Sequence, residues 1–231
     1  MIVRAAGGVL HLITQPDHAA LAGRIMGRWQ GLYDAERRGA ILHAVEEHDN
    51  GWREADAVPT VDPATGRIHD FIGAPTAVRQ GVWPRGIERL GSTPWSAALV
   101  AQHALTVYDR YQQDPGWTGF FRDIATTRDE LVAETTLTLA DLARDYDFVR
   151  IGDLISLMFC NLWDEETYAA WTFRRRENRV VVTPDPFAGR ELPLAVVARE
   201  IPNRPYSSDA DLQETLRGAP TVTLAGVVSG G

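Results

Sequence analysis

The sequence predicts a mainly α fold that carries a small β-rich lobe at its C-terminal end, α+β overall. Two patterns predict it. Apolar residues recur at helical spacing through most of residues 14–164. From about Ala169 the texture changes to short runs rich in β-branched residues, such as Arg179-Val180-Val181-Val182-Thr183. A third observation bounds the size. With 231 residues, 45% hydrophobic and 23% charged, the chain can form one large domain or a domain with a smaller lobe. The expected division is a helical domain over residues 1–165, opened by N-terminal strands, and a β-rich extension over 166–231 packed on it, whose sheet the N-terminal strands are expected to complete.

Residues 2–14 read as two short strands around Gly7-Gly8. A helix should start at Thr14, because Thr14 followed by Asp17 resembles a capping box and Pro16 is tolerated in a first turn. Leu21, Ala22, Ile25, Met26 and Trp29 form its apolar stripe, and His18 extends that stripe one turn toward the N-terminus. A second helix is expected from about Ala35 to Asn50. In it Ile41, Ala44, Val45 and His48 fall at i, i+3, i+4 and i+7, so His48 shares the buried face. Asp49 would lie about 100° round from it, and Asn50-Gly51 is a C-terminal stop.

Residues 53–92 are rich in proline and glycine and read as a long, partly ordered connection, the kind that serves as a lid. Thr93-Pro94 opens a third helix to about Gln113, with Leu99, Val100, His103 and Val107 on one face. A fourth helix is expected over about Asp123–Tyr146 and a strongly apolar fifth over Ile151–Asp164. On one side of the fifth lie Asp153, Ser156, Leu157, Cys160 and Asn161. Trp171–Arg176 and Arg179–Thr183 flank Glu177-Asn178 as a hairpin. Leu192–Ile201 and Thr221–Val228 add two strands, and Ser208–Arg217 a short capped helix.

Composition excludes several functions. The formal net charge of -8 argues against a nucleic-acid partner. All 23 basic residues are arginine, so Schiff-base and phosphate-loop lysine chemistry is absent. The lone Cys160 allows no intrachain disulfide and reads as packing. With no signal-peptide pattern, and no apolar run near the roughly 20 residues that span a bilayer, the expectation is a cytoplasmic protein with no membrane partner.

What remains is a set of metal-ligand residue types. His48-Asp49 puts an imidazole and a carboxylate side by side, a donor pair suited to a divalent metal. His18, His103 and Asp153 lie on apolar faces of other expected helices. Each has an ordinary alternative. A lone inward histidine is commonly just hydrogen-bonded, and Asp153 near a helix start can be a cap. A carboxylate in an apolar helix costs several kcal/mol unless it is paired, hydrogen-bonded or metal-bound. Four helices each aiming such a group inward is the pattern of a shared site.

The order His18, His48-Asp49, Asp153 resembles the HD superfamily of metal-dependent hydrolases. Their signature is a histidine, a His-Asp doublet and a distant aspartate on successive helices. Arg150-Ile151-Gly152-Asp153-Leu154-Ile155-Ser156-Leu157 is similar to that superfamily's last-aspartate helix. A closer resemblance is to the DUF3891 family of bacterial proteins. It rests on Gln15-Pro16-Asp17-His18, His48-Asp49-Asn50-Gly51-Trp52, Ala101-Gln102-His103, Gly152-Asp153-Leu154-Ile155-Ser156-Leu157 and Pro184-Asp185-Pro186-Phe187.

The HD resemblance implies an HD-like helical bundle. It also implies a divalent transition metal (Fe, Mn, Ni or Zn) held by His18, His48, Asp49, His103 and Asp153. Asp49 would act in catalysis, with Glu47 as a general base or outer partner, on a small anionic substrate. Arg24, Arg53 and Arg79 are candidates for clamping that anion, and Trp52 and Trp83 for walling its pocket. An alternative is an HD-type iron-dependent oxygenase, which would draw His69 in as a further ligand. Another is a metal-binding or structural module without turnover.

Overall fold

The computed structural model describes residues 1–33 and 35–231. The chain opens with a hairpin, β1 (Ile2–Ala6) and β2 (Val9–Ile13), which turns at Gly7 with φ +63°. α1 (Gln15–Met26) follows. Thr14 caps it by accepting from the Asp17 amide, and Pro16 sits in the first turn. α2 (Arg38–Glu47) runs to the His-Asp doublet, and a single 3₁₀ turn, Asn50–Trp52, leads into the short α3 (Arg53–Ala57). α4 (Thr76–Arg89), α5 (Pro94–Val107), α6 (Thr118–Ala133) and α7 (Leu139–Asn161) complete the helical layer. Then come β3 (Glu165–Tyr168), β4 (Trp171–Arg176), β5 (Arg179–Thr183), β6 (Leu192–Pro202), α8 (Asp209–Gly218) and β7 (Thr221–Gly230).

The strands form one sheet, seven-stranded among the described residues, in the order β1-β2-β6-β7-β5-β4-β3. Only β5 and β7 pair in parallel. This overturns the expectation of a mainly α, HD-like bundle with a small β lobe. The fold is α+β with a substantial mixed sheet. The sequence presents its strands as two separate groups, one at each end of the chain. The pairing of β2 with β6, Val9 opposite Pro202 and Leu12 opposite Arg199, joins the two groups. That pairing spans nearly the whole chain and agrees with the expectation that the N-terminal strands complete the C-terminal sheet; what differs is how large that sheet is.

α1 and α7 lie against the sheet. Gly226 of β7 leaves room for the Phe159 ring of α7; a Cβ there would come 2.4 Å from Phe159 Cε2. Apolar side chains from α1, α2, α5, α7 and strands β4 to β7 make one continuous core. The Pro184-Asp185-Pro186-Phe187 segment docks on the end of α1. There Gln30 N donates to Pro186 O at 3.0 Å, and Phe187 packs edge-on to Trp29. Among the described residues no helix is long and apolar enough to cross a membrane.

Three helix expectations need correcting. The expected fourth and fifth helices are shifted and partly merged, because the chain restarts at a capping box. Thr138 Oγ1 accepts from Asp141 N at 3.2 Å, and Asp141 accepts from Thr138 N at 3.0 Å. α7 then runs unbroken through Asp153. Asp153 is therefore mid-helix, and its reading as an N-terminal cap falls away. The stretch 53–92 is also more ordered than its glycine and proline content suggests. It holds α3, a bridge between Val61 and Ile68, and the 14-residue α4 with Pro84 inside it.

α4 is held by backbone contact at the doublet's turn. A Cβ on Gly51 would lie 1.9 Å from Val82 O, and Gly86 N would be only 3.1 Å away. Asn50 Nδ2 donates to Gly86 O at 3.2 Å and Arg89 Nη1 to Asn50 O at 2.6 Å. Because the obstruction is main chain, it cannot rotate aside. Gly51→Ala should destabilise the fold by about 1–3 kcal/mol or more, read as a lower midpoint in chemical denaturation. Gly119→Ala in α6, where a Cβ meets nothing within 4 Å, should be neutral or stabilising.

Candidate metal centre

His18, His48, Asp49, His103 and Asp153 come from α1, the end of α2, α5 and α7, and all are at most 5% exposed. α2 stops at Glu47, and Asp49 has φ -112° and ψ 17°. In a continuing helix His48 and Asp49 would diverge by about 100°. The break lets both side chains turn to the same point.

Each imidazole is anchored through Nδ1 and presents Nε2 to the carboxylates. His48 Nδ1 donates to Val45 O at 2.8 Å, which fixes the tautomer because a carbonyl can only accept. Ser156 Oγ donates to Asp153 O at 2.9 Å, so its hydroxyl accepts from His18 Nδ1 at 2.9 Å. His103 Nδ1 lies 3.1 Å from the Tyr146 hydroxyl. On the other side, His18 Nε2 is 2.8 Å from Asp49 Oδ2. His48 Nε2 is 3.5 Å from both Asp49 Oδ2 and Asp153 Oδ1. His103 Nε2 is 3.9 Å from Asp153 Oδ2. His48 Nε2 is buried and has no hydrogen-bond partner.

These atoms form two overlapping groups, His18-His48-Asp49 and His48-His103-Asp153, whose donor atoms lie within 4.8 Å of one another. Two ligand atoms each about 2.1 Å from one ion can be about 4.2 Å apart, so small inward shifts suffice. A histidine that gives its second nitrogen to a carbonyl or hydroxyl is the usual outer arrangement of a metal ligand. The clusters can hold a metal ion.

Outer contacts complete the picture. Gln15 Nε2 donates to Asp49 Oδ2 at 3.0 Å and Arg150 Nη1 to Asp153 Oδ2 at 2.6 Å. Gln15 N donates in turn to the buried Asp56 at 2.5 Å. In the sequence Gln15 and Arg150 stand inside the resemblance motifs without a role at the site, and Tyr146 carries no signal at all. Ser156 reads there only as a neighbour of Asp153, although the spacing Asp153-Ser156, one helical turn, carries that signal.

Burial sets the electrostatics. For His48 it opposes the charged form, but Asp49 and the contacts with Asp153 outweigh it and raise the pKa to about 9. His103, also buried, is pushed down to about 3 and stays neutral. Burial alone would raise Asp49 and Asp153, yet the neighbouring imidazoles, and for Asp153 also Arg150, hold both below the usual carboxylate range. Without metal, a proton on His48 thus sits between two carboxylates.

The other predicted residues lie elsewhere. Glu47 is paired at the surface with Arg53 at 2.9 Å and does not join the cluster. Leaving α2 one residue before His48, it points away from the break that turns the doublet inward. His69 sits beside the Val61–Ile68 bridge with Nδ1 3.0 Å from Thr60 Oγ1, outside both groups. The two-iron reading drew on His69 and loses that support. Arg24 is spent on Ala195 O at 2.7 Å. Arg79, Trp52 and Trp83 do reach the site, lining a cavity of about 270 Å³ that opens onto Asp49, His103 and Asp153.

The charged His48 gives a testable pH dependence in protein stripped of metal. Its pKa rises from 6.5 to about 9 on folding, so its stabilisation is complete below pH 6.5 and lost as pH climbs through about 9. Denaturation midpoints of chelator-treated protein should fall over that window, and His48→Gln should flatten the slope. An equally steep slope in the variant would contradict the assignment.

No curated protein and no solved structure matches this chain. The model of one family, proteins of unknown function designated DUF3891, matches residues 1–203. With that match over most of its length, and with the landmark residues of α1, α2, α5 and α7 gathered in one buried cluster, the chain belongs to the DUF3891 family.

Proposed function

We propose that this protein is a metal-dependent hydrolase of phosphohydrolase type that acts on a small anionic metabolite. The observation that carries the reading is the buried, unpartnered Nε2 of His48, set 3.5 Å from each of two carboxylates and flanked by the imidazoles of His18 and His103. His18, His48, Asp49, His103 and Asp153 would hold a divalent ion. The set is borderline-soft, nitrogen with carboxylate oxygen, and suits Fe, Mn, Ni or Zn. When bound, such an ion supplies Lewis acidity that acidifies a water molecule and offsets charge developing on the substrate. The order of these donors resembles that of HD-type hydrolases, while the mixed sheet sets the scaffold apart.

The chain's own residues do the rest. Gln15 and His18 both engage Asp49 Oδ2, which holds the carboxylate in place and leaves Oδ1 outside those bonds. Asp49 also lines the cavity. In the proposed reaction the water oxygen bonds to phosphorus while its proton passes to Asp49 Oδ1. The P–O ester bond breaks with its electron pair going to the leaving oxygen, which takes up the proton held on Asp49 Oδ1, so that the alcohol and inorganic phosphate are the products. Arg150 keeps Asp153 ionised and oriented. Trp52, Trp83 and Leu157 wall the cavity and limit water, which strengthens each charge interaction inside it. A cavity of about 270 Å³ is below the roughly 300–1,000 Å³ usual for drug-sized ligands, which favours a small substrate.

Elemental analysis tests the reading. Purified wild-type protein should carry about one or more equivalents of transition metal, and His48→Ala and Asp153→Asn should lose most of it. Chelation should abolish hydrolysis of a phosphomonoester and phosphodiester panel, and the metal found in the native protein should restore it. Metal-free wild-type protein of full stability would sink the metal assignment. Tight metal with no turnover across the panel would favour a binding module instead.

A further inference from the structure

Arg79 stands in the first turn of α4, facing the cavity. It is 9% exposed, and its Nε is buried without a hydrogen-bond partner. Its guanidinium packs against Tyr111 and Trp117, at 5.0 and 5.2 Å from the ring centroids. Nη1 donates to the Tyr111 hydroxyl at 2.9 Å and Nη2 to Thr76 Oγ1 at 3.3 Å. Of the five N–H donors of an arginine, three stay unused.

Arg110 also lines the cavity, and its guanidinium lies 4.9 Å from the centroid of the same Tyr111 ring. Two positive charges are thereby drawn to one ring. Among the described residues neither forms an ion pair with a carboxylate. The net charge is -8, and nearly every other cavity-side charge is matched, Arg150 by Asp153 for example. Arg79, buried and without a carboxylate partner, is costly in that position unless an anion joins it, while Arg110 lines the same cavity from an exposed position and adds a second donor to it. Between them and the metal centre the walls are flat and largely apolar, with Trp52, Phe71 and Trp83.

We propose that Arg79 and Arg110 form the oxyanion anchor of the substrate cavity, which takes a small metabolite with an oxyanion at one end and a flat apolar body directed toward the metal centre. This rests on the hydrolase reading for what happens at the far end. The anchor itself is independent of metal. Arg79 binds substrate, and the aromatic rings around it hold its fork in place. A guanidinium serving only to fill an aromatic bracket would support stability and show no preference among ligands.

The test uses full-length protein, freed of metal by chelator and then dialysed, so that a failed metal assignment cannot masquerade as a failed anchor. Phenyl phosphate, benzoate, inorganic phosphate and the neutral benzyl alcohol are titrated, with tryptophan fluorescence and calorimetry as readouts. Phenyl phosphate or benzoate should bind about tenfold or more tighter than benzyl alcohol, the scale of a charge-assisted hydrogen bond. Whichever anion binds tighter identifies the oxyanion as phosphate or carboxylate. Inorganic phosphate should bind more weakly than phenyl phosphate, because it lacks the apolar body. Arg79→Met and Arg110→Met should each erase the anionic preference, and Arg79→Lys should retain part of it. Equal binding of anion and alcohol by the wild type overturns the proposal, as does an undiminished preference in Arg79→Met. Should Arg79→Met fail to fold, the wild-type comparison and the exposed Arg110→Met decide it.

Discussion

Two carboxylates buried in the middle of a helical layer are the constraint on which the rest depends. Asp49 and Asp153 stand among apolar side chains of α1, α2, α5 and α7, where an isolated charge would cost several kcal/mol. They are tolerated because three imidazoles and Arg150 surround them. Each of the three imidazoles has its own support, from Val45 O, Ser156 and Tyr146. The site therefore spreads outward into hydrogen bonds that pin four helices relative to one another. Loss of His48 or Arg150 weakens the compensation of a buried carboxylate.

The fold meets this demand through backbone proximity. Gly152, one residue before Asp153, lets α7 approach α1 and α2; a Cβ there would come 2.8 Å from Met26 Cγ and 3.0 Å from Val45 Cγ1. Gly51 does the same for α4 just after the doublet. These contacts set the distances between donor groups, while the sheet supports α1 and α7 from behind. The cavity arises where α4 and α5 lean over the carboxylates. Its chemistry is graded, with the ligand cluster at one end and the two guanidiniums around Tyr111 at the other.

Much of the site was legible in the sequence because it obeys helical periodicity. His18, His48 and His103 each sit on an apolar stripe, and a stripe that faces the core must carry its polar members inward too. Asp153 was legible for the complementary reason, that a carboxylate in so apolar a helix needs a partner. Thr14 with Asp17, and the Ser207-Ser208 pair before α8, were readable as caps since a cap is a local bond, and the structure gives that role to Ser208. Glu47 stands apart from the cluster, paired with Arg53. Its closeness in sequence to the doublet says nothing of direction once the helix ends between them. His69 had no periodic pattern to aim it, and its bond to Thr60 depends on a local bridge between Val61 and Ile68.

By itself, the sequence determined which ligand-type residues turn inward, which faces of α1, α2 and α5 carry them, and where the C-terminal hairpin lies. All of these follow from interactions a few residues apart. Only the tertiary structure decided the extent, strand order and register of the one mixed sheet that the strands at the two ends of the chain form, since the β2–β6 pairing joins residues nearly the length of the chain apart. It alone decided that α7 passes unbroken through Asp153 and that Glu47 and His69 stand outside the cluster. Of Arg24, Arg53 and Arg79, packing brought only Arg79 to the cavity, where aromatic neighbours leave part of its N–H groups unspent.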